Sequence, residues 1–230
     1  MSVRKPSLME VIPVFKRIYF WVDERFDIHD YIKKDILDKP IPKGLNLTYC
    51  FGGITFFLFI MLAATGFFMA IYYIPSPLQA YDSVDYLTYE VSMGSIVRGV
   101  HHWSANLMVV TIFLHMIRVF VYGAYKKPRE LNWVTGVLIF SLVMGFSFTG
   151  YLLPWDQKAY WATQVGTSIM GTVPVLGEYG LRLMRGGTKL GALTLARFYA
   201  LHVIFLPIAT VCLLIGHFVM IRRQGISTPL

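Results

Sequence analysis

The chain has 230 residues, 56% of them hydrophobic, and its 21 Lys and Arg against 13 Asp and Glu give a formal charge of +8. A mean hydropathy of +0.56 excludes an ordinary soluble domain and points to a polytopic membrane protein, a single domain over residues 1–230. In such a protein the basic excess belongs to cytoplasmic loops rather than to nucleic-acid binding, and two cysteines, Cys50 and Cys212, make neither a C-x-x-C pair nor a disulfide framework.

The N-terminus lacks an apolar core of signal-peptide length and a small-residue cleavage site, so it is expected to be retained. Residues 1–45 read as a surface helix and linker. Val14, Phe15, Ile18, Tyr19, Val22 and Phe26 recur at helical spacing and predict an amphipathic helix lying on the membrane. His29 is expected to be an exposed surface residue. The stretch from Asp38 to Gly44 is rich in breakers.

Residues 46–222 predict a four-helix bundle, and 223–230 a tail. The first span runs from about Leu47 to Ile74, carries no charge, is long enough to cross a bilayer, and is closed by Pro75-Ser76-Pro77. The loop that follows has Asp82, Asp85 and Glu90 but no Lys or Arg. The second span, Ile96–Val121, is followed by the basic loop Tyr125-Lys126-Lys127-Pro128-Arg129-Glu130. The third runs from about Trp133 to Leu153 and stops at Pro154. A Gly-rich connection with Trp155, Tyr160 and Trp161 continues to about Lys189 and predicts short interfacial helices. The fourth span runs from about Leu193 to Ile221 and ends in Arg222-Arg223. Cys212 within it is expected to be a core residue. The basic segments put both termini on the cytoplasmic side, so the second and fourth spans run in parallel, from outside inward.

Ionisable residues at membrane depth are costly and mark function. His101 and His115 are 14 positions apart, about 40° short of four turns and roughly 21 Å along the axis. His202 and His217 are 15 apart, about 60° past four turns. Because the spans are parallel, His101 and His202 share one depth near the outer side, and His115 and His217 another near the inner side. Two His–His pairs are what two bis-histidine haems need, one imidazole nitrogen from each side of each iron. His102 lies about 140° off the His115 face and is set aside. Packing or proton-relay roles fit one such histidine better than four matched in depth and face.

Gly52 and Gly66 in the first span repeat the 14-residue interval, as do Gly136 and Gly150 in the third. Glycine allows close helix packing and lets a large flat ligand lie against a helix. The interval shared with the histidines favours cofactor clearance. Arg98 and Arg118, near the two ends of the histidine helix, either pair with haem propionates or snorkel to the interface. On these residues alone Cys50 reads as a small apolar packing residue.

The strings VHHWSANLMV, FLHMIRVF, GAYKKPRELNWVTGV, GYLLPWDQ, LARFYALH and HFVMIRRQGISTPL resemble cytochrome b6, the split form of cytochrome b found in b6f complexes and related menaquinol–cytochrome c reductases. The likeness runs from about Trp21 to Leu230. The 15-residue interval and an end after the fourth helix fit the split form. This resemblance implies an all-α membrane bundle carrying two haems b. His101 and His202 would ligate the outer, low-potential one, and His115 and His217 the inner, high-potential one. Arg98, Arg118, Lys126 and Arg129 match positions near propionates. Cys50 matches the cysteine that holds a third haem, of c type, through one thioether. Arg222 and Asp35 match residues beside that haem and the inner quinone site.

By the same resemblance the protein passes electrons from quinol oxidised at the outer face to the inner side, coupled to proton translocation. Its implied partners are a subunit-IV-like chain, a Rieske iron–sulfur protein and a c-type cytochrome or plastocyanin, in a dimeric complex of a bacterial plasma membrane or thylakoid-type membrane. The outer quinol site would be partly built near Tyr151 to Ile169. The family's Pro-Glu-Trp-Tyr motif is absent from this chain and belongs to the separate partner, so the chain alone would bind haem without turning over quinol. The competing readings are a dihaem cytochrome b anchoring a peripheral dehydrogenase and a small transporter with a histidine proton relay.

Overall fold

Bilayer-length apolar segments satisfy their backbone polar groups internally by forming helices. The structure, a computed structural model, describes residues 8–26, 29, 33 and 44–227. Among the described residues the elements are helical and no strand occurs. The chain divides into two units, Met1–Lys43 and Gly44–Leu230.

In the first unit, α1 (Leu8–Phe26) covers the expected surface helix. Val14, Phe15, Ile18, Tyr19, Phe20 and Trp21 are all exposed on it. Arg25 lies 4.2 Å over the Trp21 ring and donates to the Trp21 carbonyl at 2.8 Å. His29 is exposed, as expected. Asp35 and residues 38–43 of the linker lie outside the described residues.

In the second unit a 3-10 turn, Leu47–Cys50, capped by Asn46, leads into α2 (Phe51–Tyr72). There follow α3 (Ala80–Tyr89), α4 (Gly94–Val121), α5 (Glu130–Leu152), α6 (Gln157–Gly171), α7 (Gly177–Arg185), α8 (Ala192–Ala200) and, after a π-helical turn at Leu201–Phe205, α9 (Leu206–Gln224). Four segments are long and apolar enough to cross a membrane: Leu47–Tyr72, Gly94–Val121, Glu130–Leu152 and Ala192–Gln224. They coincide with the four expected spans to within a few residues. The protein is an integral, multi-pass membrane protein.

Local chemistry sets the ends. Pro75 and Pro77 forbid continuation of α2. Gly123, at φ +61°, turns the chain out of α4. Asp156 caps α6, its carboxylate accepting from the Ala159 amide at 2.8 Å. The acidic connection after α2 holds a helix of its own, α3, because Ala80 and Leu87 bury completely or nearly so. The long connection contains α6 and α7, the short helices its composition predicts.

The spans expose many large apolar side chains and bury several small polar ones. Phe67, Ile71, Phe113, Phe120, Ile208 and Ile215 face outward, whereas Thr55, Thr65, Ser104, Thr135, Thr149 and Thr210 are buried. Small residues allow close approach in lipid, where apolar side chains need no burial. Cys212 is corrected on the same ground: expected in the core, it is exposed on α9, since lipid accepts its thiol. One apolar cluster, Leu58, Met108, Ile112, Ile139 and Val143, ties α2, α4 and α5 together. A second, Ala80, Leu152, Leu195 and Phe198, seats α3 and α8 against the end of α5. The packing pairs α2 with α4 and α5 with α9, whereas α4 and α9 share no extensive contact.

Candidate functional site

His101 and His115 stand on α4. His202 lies in the π-helical turn and His217 on α9. That turn explains their 15-residue interval. The Leu206 amide donates to the Leu201 carbonyl, five residues back, which adds one residue to the turn. Pro207, lacking an N–H, leaves the Val203 carbonyl without its usual i+4 partner and favours the break. With one residue absorbed, the remaining interval matches the 14 of α4, and both helices present their histidines on one face.

The structure brings the histidines together as the spacing predicts. The rings of His101 and His202 have centroids 6.5 Å apart at 61°. A metal–imidazole bond is about 2 Å, so two imidazoles on opposite sides of one metal put their ring centres roughly 6 Å apart. His115 and His217 are close enough to interact electrostatically. Each pair reaches across the gap between α4 and α9. His102 is exposed beside Asn106 and joins neither pair.

Each histidine ring lies against one of the four glycines. A Cβ built on Gly66 would stand 3.3 Å from His101 Cε1, one on Gly52 3.0 Å from His115, one on Gly136 3.7 Å from His217 and one on Gly150 2.5 Å from His202. The glycines therefore serve the histidines directly, by making room for the imidazoles.

The residues present fit a bis-histidine haem. Each pair offers two imidazoles and nothing further: no cluster of three or more His, Cys, Asp or Glu able to hold a bare metal ion occurs among the described residues. A metal so held needs its remaining ligands from a macrocycle. Near the His115–His217 end, Arg118 Nε and Arg129 Nε are buried without hydrogen-bond partners, unfilled donors of the kind a carboxylate satisfies. The Arg118 guanidinium lies 4.4 Å over the Tyr49 ring. Arg129 reaches the Gln224 carbonyl through Nη2 at 3.4 Å. At the other end Arg98 donates to Thr88 Oγ1 at 3.1 Å and lines an open cavity with Ser95, Gly99 and His102. Lys126 and Arg222 are exposed. Cys50 is an exposed free thiol at the start of α2, two residues from the glycine facing His115.

Sequence reasoning missed two threonines. Thr65 Oγ1 is 2.9 Å from His101 Nδ1, and Thr149 Oγ1 is 3.1 Å from His202 Nδ1. Their signal was present as Thr-Gly dipeptides, since each precedes a site glycine. His115 Nδ1 is buried without a partner. His217 Nδ1 is likewise buried without a partner.

Residues 36–225 match the family model described as Cytochrome b/b6/petB. The chain is 51% identical to the menaquinol:cytochrome c reductase cytochrome b subunit of Geobacillus thermodenitrificans, over 94% of this chain and all of that one. It is 48% identical to cytochrome b6 of Auxenochlorella protothecoides, over 93% of this chain and 99% of that one. A chain of a hyperthermophilic respiratory complex III superposes with a TM-score of 0.84 at 32% identity, over 91% of this chain and 56% of that chain. The geometry of the paired histidines and the extent of these matches agree, and the chain belongs to the cytochrome b/b6 family.

Proposed function

We propose that the chain is the haem-carrying electron-transfer subunit of a quinol–cytochrome c or plastocyanin reductase. The observation that carries this reading is the double pairing of four histidines, each against its own glycine, across the gap between α4 and α9. The bound haems b supply reversible one-electron chemistry at iron. His101 and His202 hold the outer one, and His115 and His217 the inner one. The glycines admit the imidazoles, and the apolar cluster between the two pairs excludes water. Arg98, Arg118, Lys126 and Arg129 neutralise propionates. Moving one charge through the membrane potential is worth about 2.3 kcal/mol per 100 mV, so placing the pairs at two depths conserves energy.

The finer assignments rest on the sequence motifs. Cys50, exposed at the inner end of α2, would carry a haem c by one thioether. Asp35 and Arg222 match the family's residues at the inner quinone side. The residues near Tyr151 to Ile169 form part of the outer quinol pocket, completed by a subunit-IV-like chain. A Rieske protein and a c-type cytochrome accept the other electron, the complex is a dimer, both termini are cytoplasmic, and residues 1–230 act as one cytochrome b domain.

The test is spectroscopic. The purified complex is expected to show two reducible b-type haems per chain, and absence of reducible bands overturns the reading. On a haem-stained denaturing gel this chain is expected to stain and to lose the stain in Cys50→Ala while the b-type bands persist. An unstained wild-type chain removes the haem c assignment.

A further inference from the structure

Thr65 and Thr149 each sit immediately before a site glycine and each touch a histidine Nδ1. A threonine hydroxyl has one proton to give and lone pairs to accept with. Thr65 Oγ1 lies 2.6 Å from the Met61 carbonyl, and Thr149 Oγ1 lies 2.7 Å from the Gly145 carbonyl. A carbonyl cannot donate, so at those distances the hydroxyl proton goes to the carbonyl. Otherwise two sets of lone pairs would confront each other inside the membrane. The histidine contact must then run the other way: His101 Nδ1–H donates to Thr65, and His202 Nδ1–H donates to Thr149. This assigns the tautomer from the hydrogen-bond network and leaves the lone pair of both Nε2 atoms free.

The other pair lacks this device. Gly52 is preceded by Phe51, which offers no hydroxyl. Gly136 is preceded by Thr135, in register with Thr65 and Thr149, but its hydroxyl bonds only the Leu131 carbonyl, at 2.9 Å. A partner accepting Nδ1–H makes a ligating imidazole more basic, and a more basic ligand favours the oxidised iron.

We propose that Thr65 and Thr149 are positioning residues that lock the tautomers of His101 and His202 and hold the reduction potential of the outer haem below that of the inner one. The inference rests on the bis-histidine haem reading. It is tested by redox titration of the purified complex, followed through the visible and EPR signals of the two b haems. Thr65→Val and Thr149→Val, which keep the shape and remove the hydroxyl, are expected to raise the midpoint potential of the outer haem and leave the inner one unmoved. The double variant is expected to shift further than either single one. Thr65→Ser and Thr149→Ser are expected to restore the wild-type potential, and Thr135→Val to shift neither haem.

Loss of the outer haem alone in a valine variant, restored by serine, supports the same assignment. Two haems at unchanged potentials, equal shifts of both, a shift or loss that serine does not restore, or loss of both haems overturns it. Failure of the underlying reading is distinct, because the wild-type complex would then show no b-type bands at all.

Discussion

The two histidine pairs differ in how complete the protein leaves them. Around His101 and His202 the polar atoms are accounted for: both Nδ1 atoms meet threonines, and Arg98 is bonded to Thr88. Around His115 and His217 they are not. Two imidazole nitrogens, Arg118 Nε, Arg129 Nε and Tyr49 Oη are buried without partners. Buried donors left unsatisfied cost about 1–3 kcal/mol each. One end of the bundle is therefore finished by its own side chains. The other is expected to be finished by what it binds, so its stability is expected to depend more on occupancy.

Removing ligands is the largest test of that contrast. His202→Ala is expected to abolish the outer haem and His115→Ala the inner, each halving the b-type absorbance. Loss of the inner haem is expected to lower the thermal midpoint of the complex more than loss of the outer one. Equal losses of stability would break the comparison.

The glycines give a graded test. A Cβ at Gly150 would stand 2.5 Å from the His202 ring and one at Gly136 3.7 Å from His217. Overpacking typically costs about 1–3 kcal/mol. Gly150→Ala is expected to reduce outer-haem retention several-fold, whereas Gly136→Ala is expected to keep a wild-type spectrum. The reverse order of effects would contradict the geometry.

The smallest effect is expected at His102. It is exposed and touches neither pair, so His102→Gln should retain both haems in full stoichiometry. Loss of either in a spectral titration would return His102 to the ligand set.

Much of this was legible because membrane helices are regular. A 3.6-residue period places His101 and His115 on one face without reference to any neighbour, and charge-free runs delimit the spans. The glycine intervals were legible for the same reason, although which ring each glycine serves depends on how α2 seats on α4 and α5 on α9. The threonine contacts were hidden because Thr65, Thr135 and Thr149 share one local pattern, and only tertiary placement separates the two that touch imidazoles from the one that does not. The exposure of Cys212 is not legible in the sequence, because a small apolar residue in a span suits lipid as well as a packed core. The helix within the acidic connection is hard to read in the sequence because it is only ten residues long, under three turns of amphipathic pattern.

The π-helical turn at Leu201–Phe205 gives the fourth span one residue of slack that the second does not have. Deleting Ile204 would let the turn relax to ordinary α-helix, with His202 and His217 then 14 apart and still on one face. Deleting Val109, between His101 and His115, has no such reserve and swings His115 about 100° away from its partner. The two ligand helices therefore differ in the insertions and deletions they can absorb. Length variation in this lineage is expected to accumulate on the helix that holds the bulge. Haem content of the two deletion variants measures that asymmetry directly, with the inner haem kept in the first and lost in the second.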